Sequence, residues 1–308
     1  MSTKAKTRGK APAEGYRPGV WTRIGKRLRG KKVNRGIAGN ILSLLFLLIM
    51  GAFMFLPLLY VVMNAFKPLE ELLLFPPRFF VSHPTTQNFS DLFSLMNETW
   101  VPFSRYVANT VFITLVTMLC HIAFASMAAY ALAKHTFFGS RFLFKIVVLA
   151  LMFNGAVTAV PNYLLLADLH WIDTFLSVIV PAIQAPLGLY LMKQFMEPIP
   201  DSILESARMD GAGEFRVLWS IVMPQVKPAW LTLIILQIQS LWGMSSNYLI
   251  SEENKTLAMA MQQIVSGGIA RMGAASAVGL VMMIVPIVTF ILSQSQVIET
   301  MSTSGMKE

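Results

Sequence analysis

The sequence predicts an all-α integral membrane protein of about six transmembrane helices with both termini in the cytoplasm. Three observations lead there. Only 13% of the 308 residues are charged and 55% are hydrophobic, whereas a water-soluble domain carries about 25% charged residues. Six apolar stretches come close to or exceed the roughly 20 residues that cross a hydrocarbon core. None shows the alternating segments of about ten residues that mark a membrane barrel. Backbone groups in lipid must pair within their own segment, so each stretch reads as a helix.

Residues 1–40 form a basic tail. They hold twelve Lys and Arg against one acid, Glu14, which leaves the remainder of the chain slightly acidic. Such a tail could suit nucleic acid. Beside a membrane span it reads instead as a cytoplasmic anchor on anionic lipid, and no nucleic-acid partner is expected. The expected spans are Ile41–Met63, Tyr106–Ala133, Ile146–Ala167, Thr174–Met192, Ala229–Ile250 and Met272–Ile298. The first is too long for a signal peptide and lacks a small-residue cleavage site, so it is expected to stay in place. With the amino terminus inside, twenty Lys and Arg fall on cytoplasmic segments and five (Lys67, Arg78, Arg105, Lys255, Arg271) on external ones. That asymmetry fixes the orientation. The membrane domain then covers 41–299, with external loops at 65–104 and 251–271, a cytoplasmic loop at 194–227 and a short tail at 300–308.

Prolines 57, 161, 181, 186 and 286 interrupt the spans. Each removes a helix hydrogen bond and permits a kink. Polar residues inside spans are costly and often line a path. Here they are Asn109, His121, Asn154, Asn162, Gln184, Gln237, Gln239 and Asn247. Hydrogen bonding between helices is the alternative role for each, and His121 reads as a packed, hydrogen-bonded residue. Cys120 is the single cysteine, and packing is its expected role. No phosphate-binding Gly-x-x-x-x-Gly-Lys-Ser/Thr loop, metal-ligand spacing or nucleophile elbow occurs. Any energy for transport would therefore come from another subunit.

The cytoplasmic loop is the most informative stretch. Pro200 and Asp201 open a short helix, Ser202 and Glu205 have capping-box spacing, and Gly211 ends it. A second helix is expected over about Glu214–Val222, stopping near Pro224. The exposed helix sets charged Glu205, Arg208 and Asp210 beside small Ser206 and Ala207. Small residues let another protein approach closely, and charges fix register.

Glu205-Ser206-Ala207, Asp210-Gly211-Ala212, Ile221, Pro224 and Pro228 resemble the EAA loop of ABC importer permeases, with Ser206 where alanine is usual. Asn64–Leu72, Phe75-Pro-Pro-Arg78, Asn88-Phe89, Arg105-Tyr106, Asn109-Thr110 and Thr256–Gln263 are similar to maltose-type permeases. The resemblance covers about residues 40–308. It implies that Glu205, Ser206, Ala207, Asp210, Gly211 and Ala212 form a coupling helix docked on an ATPase. It further implies two ATPase subunits, which hydrolyse ATP with Mg, a second related permease and an extracytoplasmic solute-binding protein meeting about Ser251–Arg271. The chain itself would bind no cofactor or metal and would work in the bacterial cytoplasmic membrane. A sugar or oligosaccharide is the implied substrate, for which Asn154, Asn162, Gln184, Gln237, Gln239, Asn247, Trp242 and Tyr248 are chemically suited. An ABC permease for amino acids, peptides or inorganic ions is an alternative, as are a solitary carrier and an inert membrane anchor.

Overall fold

In the computed structural model the described residues are 37–97, 100–153 and 155–304. They are helical, joined by loops, with no strand among them. The chain divides into two units, residues 1–58 and 59–308. Helix α1, Ile37–Ala65, is apolar on all sides; its large residues from Ile41 to Leu58 are exposed, as suits a helix facing lipid.

In the second unit, helices follow as α2 (Gln87–Asn97), α3 (Phe103–Lys134), α4 (Ser140–Ala150), α5 (Gly155–Asp168), α6 (Leu176–Ile183), α7 (Pro186–Met196), α8 (Asp201–Met209), α9 (Lys227–Trp242), α10 (Leu257–Val265) and α11 (Met272–Ser304). Helix α3 is the hub: it packs against α6, α7, α9 and α10, and α9 in turn packs against α11. One core gathers Tyr130, Met192, Met196, Leu204, Val217, Val222 and Leu233; a second gathers Leu92, Met96, Tyr106, Met261 and Ala277.

Among the described residues four helical stretches are long and apolar enough to cross a membrane: Gly39–Ala65, Phe103–Lys134, Leu176–Met196 and Ile269–Gln294. A fifth arises if Glu214–Gln225 and Lys227–Trp242, bent by 83°, count together. The expected third span differs. It falls on two helices, α4 and α5, with a turn after Ala150. Hydropathy runs unbroken across that turn, but Asn154-Gly155 is a turn-favouring pair. The fifth expected span also stops early, at Gly243, because Ser245, Ser246 and Asn247 favour turns over helix.

The fourth span, α6 and α7, is broken at Gln184–Ala185. Pro186 has no N–H, so the break leaves carbonyls of the preceding turn unpaired. Buried His121 Nδ1 lies 2.7 Å from Ile183 O and Gln237 Nε2 lies 3.5 Å from Ala182 O. A carbonyl only accepts, so Nδ1 carries the proton. The ring fits because Gly188 has no Cβ; one built there would lie 2.0 Å from His121 Nε2.

Candidate functional site

Loops expected on the same side of the membrane meet in the structure. At one end, residues following α3 touch the segment around α8. At the other, the loop after α9 is fastened to α3 and to Asp173.

Helix α8 begins at Asp201, with Pro200 in the cap position and no side-chain cap. The expected Ser202–Glu205 capping box is therefore not formed. Proline takes the cap and shifts Ser202 into the first turn, where its carbonyl accepts a 2.8 Å hydrogen bond from Ser206 Oγ. Glu205 is exposed and makes no ion pair or hydrogen bond among the described residues.

The end of α8 is a Schellman motif. Ala212 N–H donates to Ala207 O and Gly211 N–H to Arg208 O, both at 3.0 Å, while Gly211 has φ +82°. This left-handed position favours glycine. Asp210 caps the helix, its N–H reaching Ser206 O at 3.0 Å. Ser202, Glu205, Ser206 and Met209 lie at helical spacing on one exposed stripe. Met209 is 88% exposed, and Phe215 beyond the turn is 69% exposed. On the opposite side Leu204, 1% exposed, enters the core, and Ala207 and Ala212 are half-buried against it.

Beyond Gly213 the chain runs helical over Glu214–Val217, widens to a π turn at Leu218–Val222 and ends at Gln225. Pro224 lies two residues past that turn and, lacking an N–H, deprives it of one ordinary donor. Trp230 Nε1 bonds Met223 O at 3.1 Å, bracing the bend into α9.

Polar groups surround α8 at both ends. Glu214 accepts from Arg208 Nε at 2.7 Å, Arg208 Nη2 at 3.2 Å and Tyr130 Oη at 2.7 Å, with His135 Nε2 at 3.4 Å. The Arg208 guanidinium, foremost, holds the Glu214 carboxyl below its usual range. Lys134 Nζ, on a side chain only 4% exposed, donates to Ile199 O at 2.5 Å, Glu197 O at 3.2 Å and Asp201 Oδ1 at 2.9 Å.

At the other end, Asp173 accepts from the amides of Ile250 (2.9 Å) and Ser251 (2.8 Å) and from Ser251 Oγ. These bonds, that of the Ser251 hydroxyl first, hold its carboxyl below the ordinary value. Asn109 Nδ2 donates to Glu253 O at 2.7 Å and Lys255 O at 3.0 Å; Tyr106 Oη reaches Glu252 Oε1 at 2.9 Å. Asn109 thus fastens the loop after α9 to α3.

The described path residues lie on different elements: Asn162 on α5, Gln184 at the break between α6 and α7, Gln237 and Gln239 on α9, and Asn247 after it. Asn154 lies outside the described residues. Gln237 is buried and reaches Ala182 O on the broken span, two residues before exposed Gln184. Gln239 is exposed two residues further along α9, on another face, and Trp242 Nε1 bonds Met282 O at 3.1 Å. The Tyr163 and Tyr248 rings lie 6.3 Å apart, which brings their neighbours Asn162 and Asn247 to one region. Neither amide has a partner among the described residues. The sequence reading missed Tyr130, Lys134, His135 and Glu214, because no local pattern marks them.

The model of the family described as "Binding-protein-dependent transport system inner membrane component" matches residues 103–300. The arabinooligosaccharides transport system permease protein AraQ of Halalkalibacterium halodurans is 31% identical, over 61% of this chain and 66% of that protein. AraQ of Bacillus subtilis is also 31% identical, over 66% of this chain and 71% of that protein. A chain in the crystal structure of a bacterial ABC transporter involved in import of the acidic polysaccharide alginate aligns with TM-score 0.72 and 21% identity, covering 86% of this chain and 99% of that one. It shares the fold. This chain belongs to the family of binding-protein-dependent transport system inner membrane components.

Proposed function

We propose that this chain is a permease subunit of an ABC importer that carries a sugar or oligosaccharide across the bacterial cytoplasmic membrane. In this reading two separate ATPase subunits hydrolyse ATP with Mg, a second related permease completes the path, and an extracytoplasmic binding protein delivers substrate near Ser251–Arg271. The single observation that carries it is α8: a short helix with one face anchored through Leu204 and the other presenting Glu205, Ser206, Met209 and Asp210. Two large exposed apolar side chains, Met209 and Phe215, suit burial in a partner's groove. Gly211 and Ala212 hold the helix end in place. ATP binding and loaded binding protein then bias the same two-state membrane assembly.

Carbohydrate as substrate is supported by the named cargo of the AraQ relatives. The Tyr163–Tyr248 pair beside Asn162 and Asn247 adds chemistry of the right kind, an aromatic face with unspent amides. Asn154, Gln184 and Gln239 remain candidates for the same path.

The test is cross-linking through Met209→Cys, on the exposed stripe, to a cysteine in the ATPase groove. A cross-link that changes with nucleotide supports the coupling role. No ATPase association, with uptake persisting in its absence, would leave a solitary carrier as the better reading.

A further inference from the structure

We propose that α8 drives the membrane domain through α3 as well as through its own chain neighbours, by a two-point clamp whose positioning residues are Lys134, Tyr130, Arg208 and Glu214. The inference rests on the ATPase-coupling role of α8. In sequence α8 is joined to α7 and α9. In space both of its ends are held by the last turn of α3 and the residue after it.

The entry point is Lys134. A buried ammonium must satisfy its three donors. All three acceptors come from the segment leading into α8: Glu197 O, Ile199 O and Asp201 Oδ1. The exit point is Glu214. It takes the bidentate fork of Arg208, from α8 itself, and the hydroxyl of Tyr130, from α3. Tyr130 and Lys134 are four residues apart and so sit one above the other on one helix face. Leu204 fills the space beneath α8, packed in the same core as Tyr130.

Two attachments and an apolar floor fix orientation as well as position. A push on α8 cannot tilt it without breaking a charge-assisted bond or exposing the Lys134 ammonium. Helix α3 also packs against α6, α7, α9 and α10, so motion delivered to its inner end reaches most of the unit. Packed elements of this kind shift as bodies and do not deform continuously.

The test uses the assembled transporter in liposomes, with ATPase subunits, partner permease and binding protein. Spin labels at Arg105→Cys, on the outer part of α3, and Ile269→Cys report a distance with and without ATP, Mg and vanadate. In the unaltered clamp the distance changes on trapping. Glu214→Gln and Tyr130→Phe are expected to keep the ATPase bound and hydrolysing while most of the change is lost. In a background lacking Cys120, Tyr130→Cys joined to Glu214→Cys by a thiol cross-linker rebuilds the exit point, and the ATP-driven uptake that Glu214→Gln loses is expected to return. A simple packing role would not give that rescue. If Glu214→Gln does not assemble, Arg208→Lys at the exposed end of the fork carries the same test. A full distance change in the clamp variants overturns the inference while the importer reading stands. Failure of the unaltered chain to bind any ATPase overturns both.

Discussion

Replacing Gly188 with alanine puts a methyl group 2.0 Å from His121 Nε2 and 2.5 Å from Cε1. Neither side can yield cheaply. Gly188 belongs to α7, and the His121 ring is 2% exposed and tied to Ile183 O. Overpacking of this sort costs about 1–3 kcal/mol. If the ring swings away instead, the overlap is relieved but Ile183 O loses its partner inside the protein, for roughly 1–3 kcal/mol. Either route costs about 1–3 kcal/mol, a fall in apparent Tm of roughly 2–10 °C for a chain of this size. Fluorescence-detected size exclusion after heating in detergent measures it. A double-mutant cycle isolates the cause: once His121→Ala has removed the ring, Gly188→Ala should cost almost nothing more. An unchanged Tm for Gly188→Ala, or strictly additive costs in the cycle, would refute the fit between ring and glycine.

Three further outcomes follow from the geometry. Leu204→Ala should destabilise by about 2–5 kcal/mol, since it empties a buried site under α8; thermal unfolding of the purified subunit reads this. Gly211→Ala meets no neighbour, yet its φ of +82° remains, so a cost of about 1–2 kcal/mol and weaker ATPase association are expected in pull-down. Asp173→Ala should lower hydrogen-exchange protection of the Ile250 and Ser251 amides about tenfold or more at neutral pH. The Asp173 carboxyl is held below its ordinary 3.8 when folded. Its contribution is therefore complete above 3.8 and is lost as pH falls through the depressed value, so variant and parent should converge in strong acid. Persistent divergence there would count against an ionised Asp173.

Much of this was legible in the sequence because membrane insertion is a local constraint. A helix in lipid must be apolar over its whole length, so Phe103–Lys134 and Ile269–Gln294 stand out without knowledge of their neighbours. The turn at Gly211 was equally legible, because a left-handed residue after a helix demands glycine. Hydropathy misled where apolarity continued through a turn, as after Ala150, and the capping-box pattern misled where Pro200 took the cap.

The tertiary structure alone decided which polar residues do what. Tyr130 and Glu214 are 84 positions apart and Asn109 and Lys255 are 146 apart, so no local pattern joins them. Asn109, Gln237 and His121 look alike in sequence, as lone polar residues in apolar spans, and the first fastens a loop while the other two meet carbonyls freed by a broken helix. Burying a polar group demands a partner, and the partner is supplied by the packing of the helices. The sequence by itself therefore determined that the chain spans a membrane and carries an exposed short helix, while the fold determined how that helix is held.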